Sequence, residues 1–226
     1  MKKRDTSSGK MYTVGEEIFN AVTHGIGDLI AIAALVLLIV FAVRYGDGWC
    51  LASGIVYGIT LIILYTMSTL YHAITPKRAK SVFRVFDHCS IFLLIAGTYT
   101  PYALVTLRTA DYHGISLGWL IFGIIWGLAL IGIIFAALRK SIKWLELPLY
   151  VIMGWIIIFS FDDLVRLLPK NGLILLVAGG VVYTIGVIFF ILHKYEYMHS
   201  IFHLFILAGS VLQFLSVLLY VFPVLR

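Results

Sequence analysis

The chain has 226 residues, of which 62% are hydrophobic and only 12% charged, with a formal net charge of +6. Soluble domains carry roughly 45–50% apolar and about 25% charged residues, so a soluble globular or disordered protein is excluded. The apolar residues fall in long uncharged runs, and about 20 in succession cross a bilayer. Those runs predict an all-α polytopic membrane protein with seven transmembrane helices, at roughly 18–44, 48–74, 85–107, 115–138, 144–161, 172–193 and 198–222. The fifth is the shortest, because only Leu147 to Phe161 is free of charge.

In chain order, residues 1–15 read as a short polar cytoplasmic tail and residues 16–226 as one seven-helix transmembrane domain. Lys2, Lys3 and Arg4 precede an apolar run too long for a signal peptide, so the first helix is expected to stay uncleaved. Arg44 to Gly48 forms a tight turn after it, and Pro76 to Arg84 a basic loop between the second and third helices. Asp162 to Gly172 is the longest polar stretch between spans. Such short connections make consecutive helices neighbours, and without an internal repeat an inverted-repeat transporter has no support. Gly54-x-x-x-Gly58 and Gly123-x-x-x-Gly127 have the spacing that lets helices approach closely, a pattern that chance also produces in a glycine-rich chain.

Basic residues set the orientation. With the N-terminus in the cytoplasm, that side collects Lys2, Lys3, Arg4, Lys10, Lys77, Arg78, Lys80, Arg84, Arg139, Lys140, Lys143 and Lys194. The other side holds Arg44, Arg108, Arg166, Lys170 and Arg226, and this bias places the C-terminus outside. The positive charge therefore reports membrane topology, and no nucleic-acid partner is expected. Membrane lipids are the expected surroundings. Cys50 and Cys89 fall towards opposite faces and are expected to be free thiols.

Polar residues inside spans carry the functional signal, since each costs several kcal/mol to desolvate. Glu17, Asn20, His24 and Asp28 recur at intervals of 3 and 4, one face of the first helix. His24 and Asp28 are deep enough to face inwards, as outer partners of a site or a water path, or the line is an interhelical hydrogen-bond stripe. Ser68 and His72 end the second helix on one face, and Asp87 stands at the expected start of the third. Alone, Asp87 reads equally as a cap of that helix. His199 and His203 stack on one face at the start of the last helix, the spacing that a single metal ion requires. With the N-terminus inside, all four of these ionisable residues come to one membrane level. Three neutral imidazoles with one open position describe a catalytic type of zinc site, with Asp87 serving the open position or orienting a ligand. Alone, a membrane histidine reads as an interhelical hydrogen bond; the matched level argues for the site. His88 points about 100° away from Asp87. His113, His193 and Gln213 fall outside the expected site.

Glu16-Glu17-x-x-Asn20-x-x-Thr23-His24-Gly25-x-Gly27, Ser68-x-x-x-His72, Phe86-Asp87-His88, Gly97-Thr98-Tyr99-Thr100-Pro101 and His199-x-x-x-His203 follow one another in this order. In that series the chain resembles the bacterial hemolysin III family, which stands with the progestin and adipoQ receptors, from Glu16 to the end of the last helix. The resemblance implies seven helices in a bacterial plasma membrane and a zinc ion held by His72, His199 and His203. Asp87 and Ser68 would lie beside it as catalytic residues. It also brings the chain near membrane hydrolases such as alkaline ceramidases, implying a lipid-amide substrate. The family name implies the other expectation, a membrane-perturbing cytolysin or pore former; a receptor-like protein with structural zinc is the third.

Overall fold

The computed structural model describes residues 12–138 and 143–223, with the side chains of Lys143 and Trp144 excepted. Residues 1–11 of the expected tail, Arg139 and Lys140 between the fourth and fifth spans, and the last three residues lie outside them. The helices are α1 (Val14–Tyr45), α2 (Gly48–Ala73), α3 (Lys77–Pro101), α4 (Leu117–Ala137), α5 (Lys143–Trp155), α6 (Phe161–Leu167), α7 (Lys170–Ile191) and α8 (Met198–Ser216). A 3₁₀ turn over Ile156–Ser160 joins α5 to α6, so the two make one span, and wide π turns extend α3 and α8. Among the described residues, seven helices are thus long and apolar enough to cross a membrane.

Their outward faces are what lipid contact requires. Phe159 is 88% exposed, Val43 70% and Leu29 69%, a surface that water would not tolerate over the whole circumference of a bundle. The helices close into a ring: α1 packs on α2, α2 on α3, α3 on α4, α4 on α5, α5 on α7, α7 on α8, and α8 back on α1. A Cβ at Gly97 would collide with the Thr60 side chain, so only glycine lets α3 lie this close to α2. Gly58 likewise faces Leu35 of α1 and Gly54 faces Phe222, whereas Gly123 and Gly127 face open space. The first small-residue pair is a packing feature and the second is not.

Caps explain where several elements begin. Thr13 and Glu16 form a reciprocal capping box at α1. Asp47 accepts from the N–H groups of Trp49 and Cys50 to start α2. Burial opposes its ionisation, yet those N–H groups hold its carboxyl below the usual range. Between α3 and α4 the chain makes a two-residue ribbon, Asp111–Tyr112 against Ile115–Ser116, turned through His113 (φ 53°) and Gly114 (φ 85°). Positive φ at both turn residues suits the twist of a two-residue hairpin.

The expected basic loop from Pro76 to Arg84 is corrected: α3 already begins at Lys77. Lys and Arg are good helix formers, and a membrane helix is free to continue into water beyond the hydrocarbon. Asp87 therefore sits ten residues, about 15 Å, inside α3, and is neither its start nor its cap.

Candidate functional site: three converging histidines

α2 ends, α8 begins and α1 begins at one end of the bundle, and the site forms where they meet. A tie between α1 and α8 sets the geometry: Tyr197 N–H donates to Glu16 Oε1 at 2.8 Å, and Tyr197 adopts a left-handed φ of 63°. The chain therefore turns sharply into α8 and places His199 in its first turn and His203 in its second. Both point inwards and are buried, as is His72.

His72, His199 and His203 each offer a ring nitrogen within 4.8 Å of the other two. His199 Nε2 and His203 Nε2 face each other at 3.1 Å. Two nitrogen ligands of one tetrahedral zinc ion stand about 3.3 Å apart, because each bond is about 2.0–2.1 Å. His72 Nδ1 donates to Glu17 Oε2 at 2.7 Å, which leaves Nε2 as the lone-pair nitrogen. That Nε2 is buried and has no hydrogen-bond partner among the described residues. A buried acceptor without a donor costs about 1–3 kcal/mol, an expense that a cation at this position removes. Donor chemistry, spacing and the unpartnered lone pair all fit a metal ion.

Around this centre the first helix supplies support. Glu17 Oε1 is 3.0 Å from Lys80 Nζ, and Lys80 also donates to the carbonyl of Tyr71 at 2.8 Å. The carboxylate that orients His72 is thus itself fixed from α3, the arrangement by which an outer carboxylate aligns a ligand imidazole. His24 stacks on His203, with ring centroids 3.6 Å apart and planes 20° from parallel. Tyr12 stacks on His199 at 4.9 Å and meets the edge of His72 at 5.4 Å. Asp28, by contrast, accepts from Thr66 at 3.0 Å, away from the three histidines.

A cavity of about 270 Å³ opens from this cluster into the bundle. His24, Ser68, Asp87, His199 and His203 line its polar end. Ser68 of α2 and Asp87 of α3 meet at this end as lining of the same cavity. Leu94, Ile95, Val151 and Ile206 line its apolar length, and Tyr102 and Gln213 its far end. Gln213 Nε2 donates to the Leu176 carbonyl of α7 at 2.9 Å, the interhelical bond expected of it. His88 also borders the cavity but gives its Nδ1 to Glu146 at 2.7 Å, and His193 hydrogen-bonds the Phe190 carbonyl.

Two supports escaped the sequence reading. Glu17 was visible as one of a polar line, but its partner on α2 depends on how the helices pack. Tyr12 precedes the apolar pattern and carries no local signal of its place over the histidines.

Comparison with known proteins adds a lineage to this geometry. The family described as Haemolysin-III related matches residues 12–214. "Hemolysin-3" of Bacillus cereus is 45% identical over 212 residues, 93% of this chain and 94% of that protein. "Hemolysin-3 homolog" of Bacillus subtilis (strain 168) is 43% identical over 211 residues, 93% of this chain and 96% of that protein. The human "Monocyte to macrophage differentiation factor" is 27% identical over 238 residues, 98% of this chain and 92% of that protein.

Proposed function

Because the chain belongs to the haemolysin-III-related family of multi-pass membrane proteins, we propose that its histidine cluster makes it a zinc-dependent hydrolase of a lipid amide. The observation that carries this reading is the convergence of three buried imidazoles, one with a lone pair that has no partner among the described residues, beside the polar end of an apolar cavity. His72, His199 and His203 would hold the ion. When bound, zinc supplies Lewis acidity to a carbonyl and makes water a competent nucleophile near neutral pH.

The chain's own residues supply the rest. Asp87 accepts the proton of the attacking water and passes it to the amide nitrogen as the C–N bond breaks, giving a carboxylate and an amine. Ser68 holds the Asp87 carboxyl in place through its hydroxyl. Glu17 fixes the tautomer of His72, and the His24 ring packs against His203 so that neither imidazole turns away. The apolar length of the cavity takes an acyl chain and keeps bulk water from the reacting bond. On the basic asymmetry of the sequence, the site faces the cytoplasm; reporter fusions at the two ends should be active on opposite sides of the membrane.

Membrane lysis is the competing reading, and the name carried by the two Bacillus relatives favours it. One preparation separates the two. Full-length protein in liposomes is expected to contain one zinc per chain and to release fatty acid from a lipid amide without leaking an entrapped dye. Dye release without fatty acid would establish the lytic reading, and zinc without either would leave a structural or receptor role.

A further inference from the structure

Arg84 is the one lysine or arginine among the described residues that line the cavity. It lies three residues before Asp87 and four before His88, about one turn of α3 closer to the loop, and so on the same face. Two of the neighbouring charges have other work: Lys80 is bound to Glu17 and Glu146 to His88. Among the described residues the Arg84 guanidinium has no hydrogen bond or ion pair. Counted from Lys77, it stands about 10 Å along α3, where a helix of this length is still near the headgroup layer.

We propose that Arg84 is a headgroup subsite, binding a carboxylate or phosphate on the amine half of the lipid amide while the acyl chain fills the apolar cavity. The assignment rests on the hydrolase reading for the position of the scissile bond beside the histidines. A guanidinium presents a planar fork of donors that matches either anion, and inside a partly desolvated mouth that match discriminates strongly against a neutral hydroxyl. One turn of helix between Arg84 and Asp87 sets the acidic group only a few bonds from the amide nitrogen. N-acyl amino acids and N-acyl phosphoamines have this form, and amides with a neutral or cationic headgroup do not.

Two measurements on the full-length protein in phosphatidylcholine nanodiscs test it. In equilibrium binding, dodecyl phosphate and laurate should bind at least about tenfold more tightly than dodecanol. Arg84→Gln should bring all three within about twofold while leaving dodecanol binding unchanged, and Arg84→Lys should keep part of the preference. No preference in the wild type, or a preference that survives in Arg84→Gln, overturns the subsite. Loss of dodecanol binding in that variant makes Arg84 a structural residue and overturns it too. So does inorganic phosphate competing as well as dodecyl phosphate, which would mark a surface anion site. In turnover, N-lauroylglycine should be cleaved at least about tenfold faster than N-lauroylethanolamine at low concentration. Equal turnover contradicts the subsite and spares the hydrolase; anion-selective binding with no turnover of either amide supports the subsite and sinks the hydrolase.

Discussion

Two buried polar clusters, one at the histidines and one around Gln213 and Ser210, differ in how their hydrogen bonds close. Around Gln213 and Ser210 the side chains pair with one another: Tyr102 donates to Gln213 at 3.2 Å, Gln213 to Leu176, and Tyr65 and Tyr183 both meet Ser210 at 2.9 Å. At the histidine end the same helices leave His72 Nε2, Asn20 Oδ1 and Ser200 Oγ without partners among the described residues. A closed network of this kind ties helices together. An open one, buried at comparable cost, has the donors to hold a ligand. Polarity inside the membrane is therefore a poor guide to function by itself, and the unsatisfied lone pair is a better one.

The sharpest way to break that contrast is to remove a ligand. His203→Ala should take the zinc content from one per chain to none by elemental analysis of the purified protein, whereas Gln213→Leu should leave it unchanged. Asp87→Asn comes next. The carboxamide keeps shape but not basicity, so zinc should stay while amide turnover falls by about 100-fold or more. Metal loss in this variant would instead make Asp87 a ligand or the support of one. Because α3 begins at Lys77, a capping role no longer competes as an explanation.

Glu17→Gln probes the outer support. The amide oxygen still accepts from His72 but carries no charge, and zinc affinity, measured by chelator competition, should weaken about 10- to 100-fold. An unchanged affinity would reduce the 2.7 Å contact to packing. The smallest effect is expected at the closed end. Tyr65→Phe removes one donor to Ser210, which keeps Tyr183, so stability should fall by only about 1 kcal/mol with metal content intact.

How much of this was legible in the sequence follows from what is local. Hydrophobic runs and their lengths gave all seven spans, and the i, i+4 spacing of His199 and His203 fixed their common face before any packing was known. The start of α3 was not legible, because Lys77, Arg78, Lys80 and Arg84 mark a membrane boundary and a loop equally well. Nor were the breaks: α5 gives way to a 3₁₀ turn where Tyr99 bridges the chain, accepting from Ile157 N–H and donating to the Gly154 carbonyl. His24 and Asp28 looked alike as members of one stripe, eight or fewer residues from Asn20. Only helix packing sends one against His203 and the other to Thr66. Pairings across helices belong to the fold, and sequence periodicity shows only which residues are available for them.

The central claim is that three imidazoles converge to hold one metal ion. X-ray absorption at the zinc edge on purified full-length protein reads this directly. The account predicts a shell of three imidazole nitrogens at about 2.0–2.1 Å, and its loss in His203→Ala. Protein that stays metal-free with zinc in excess, or a zinc shell of sulfur or carboxylate donors indifferent to His203, would contradict it.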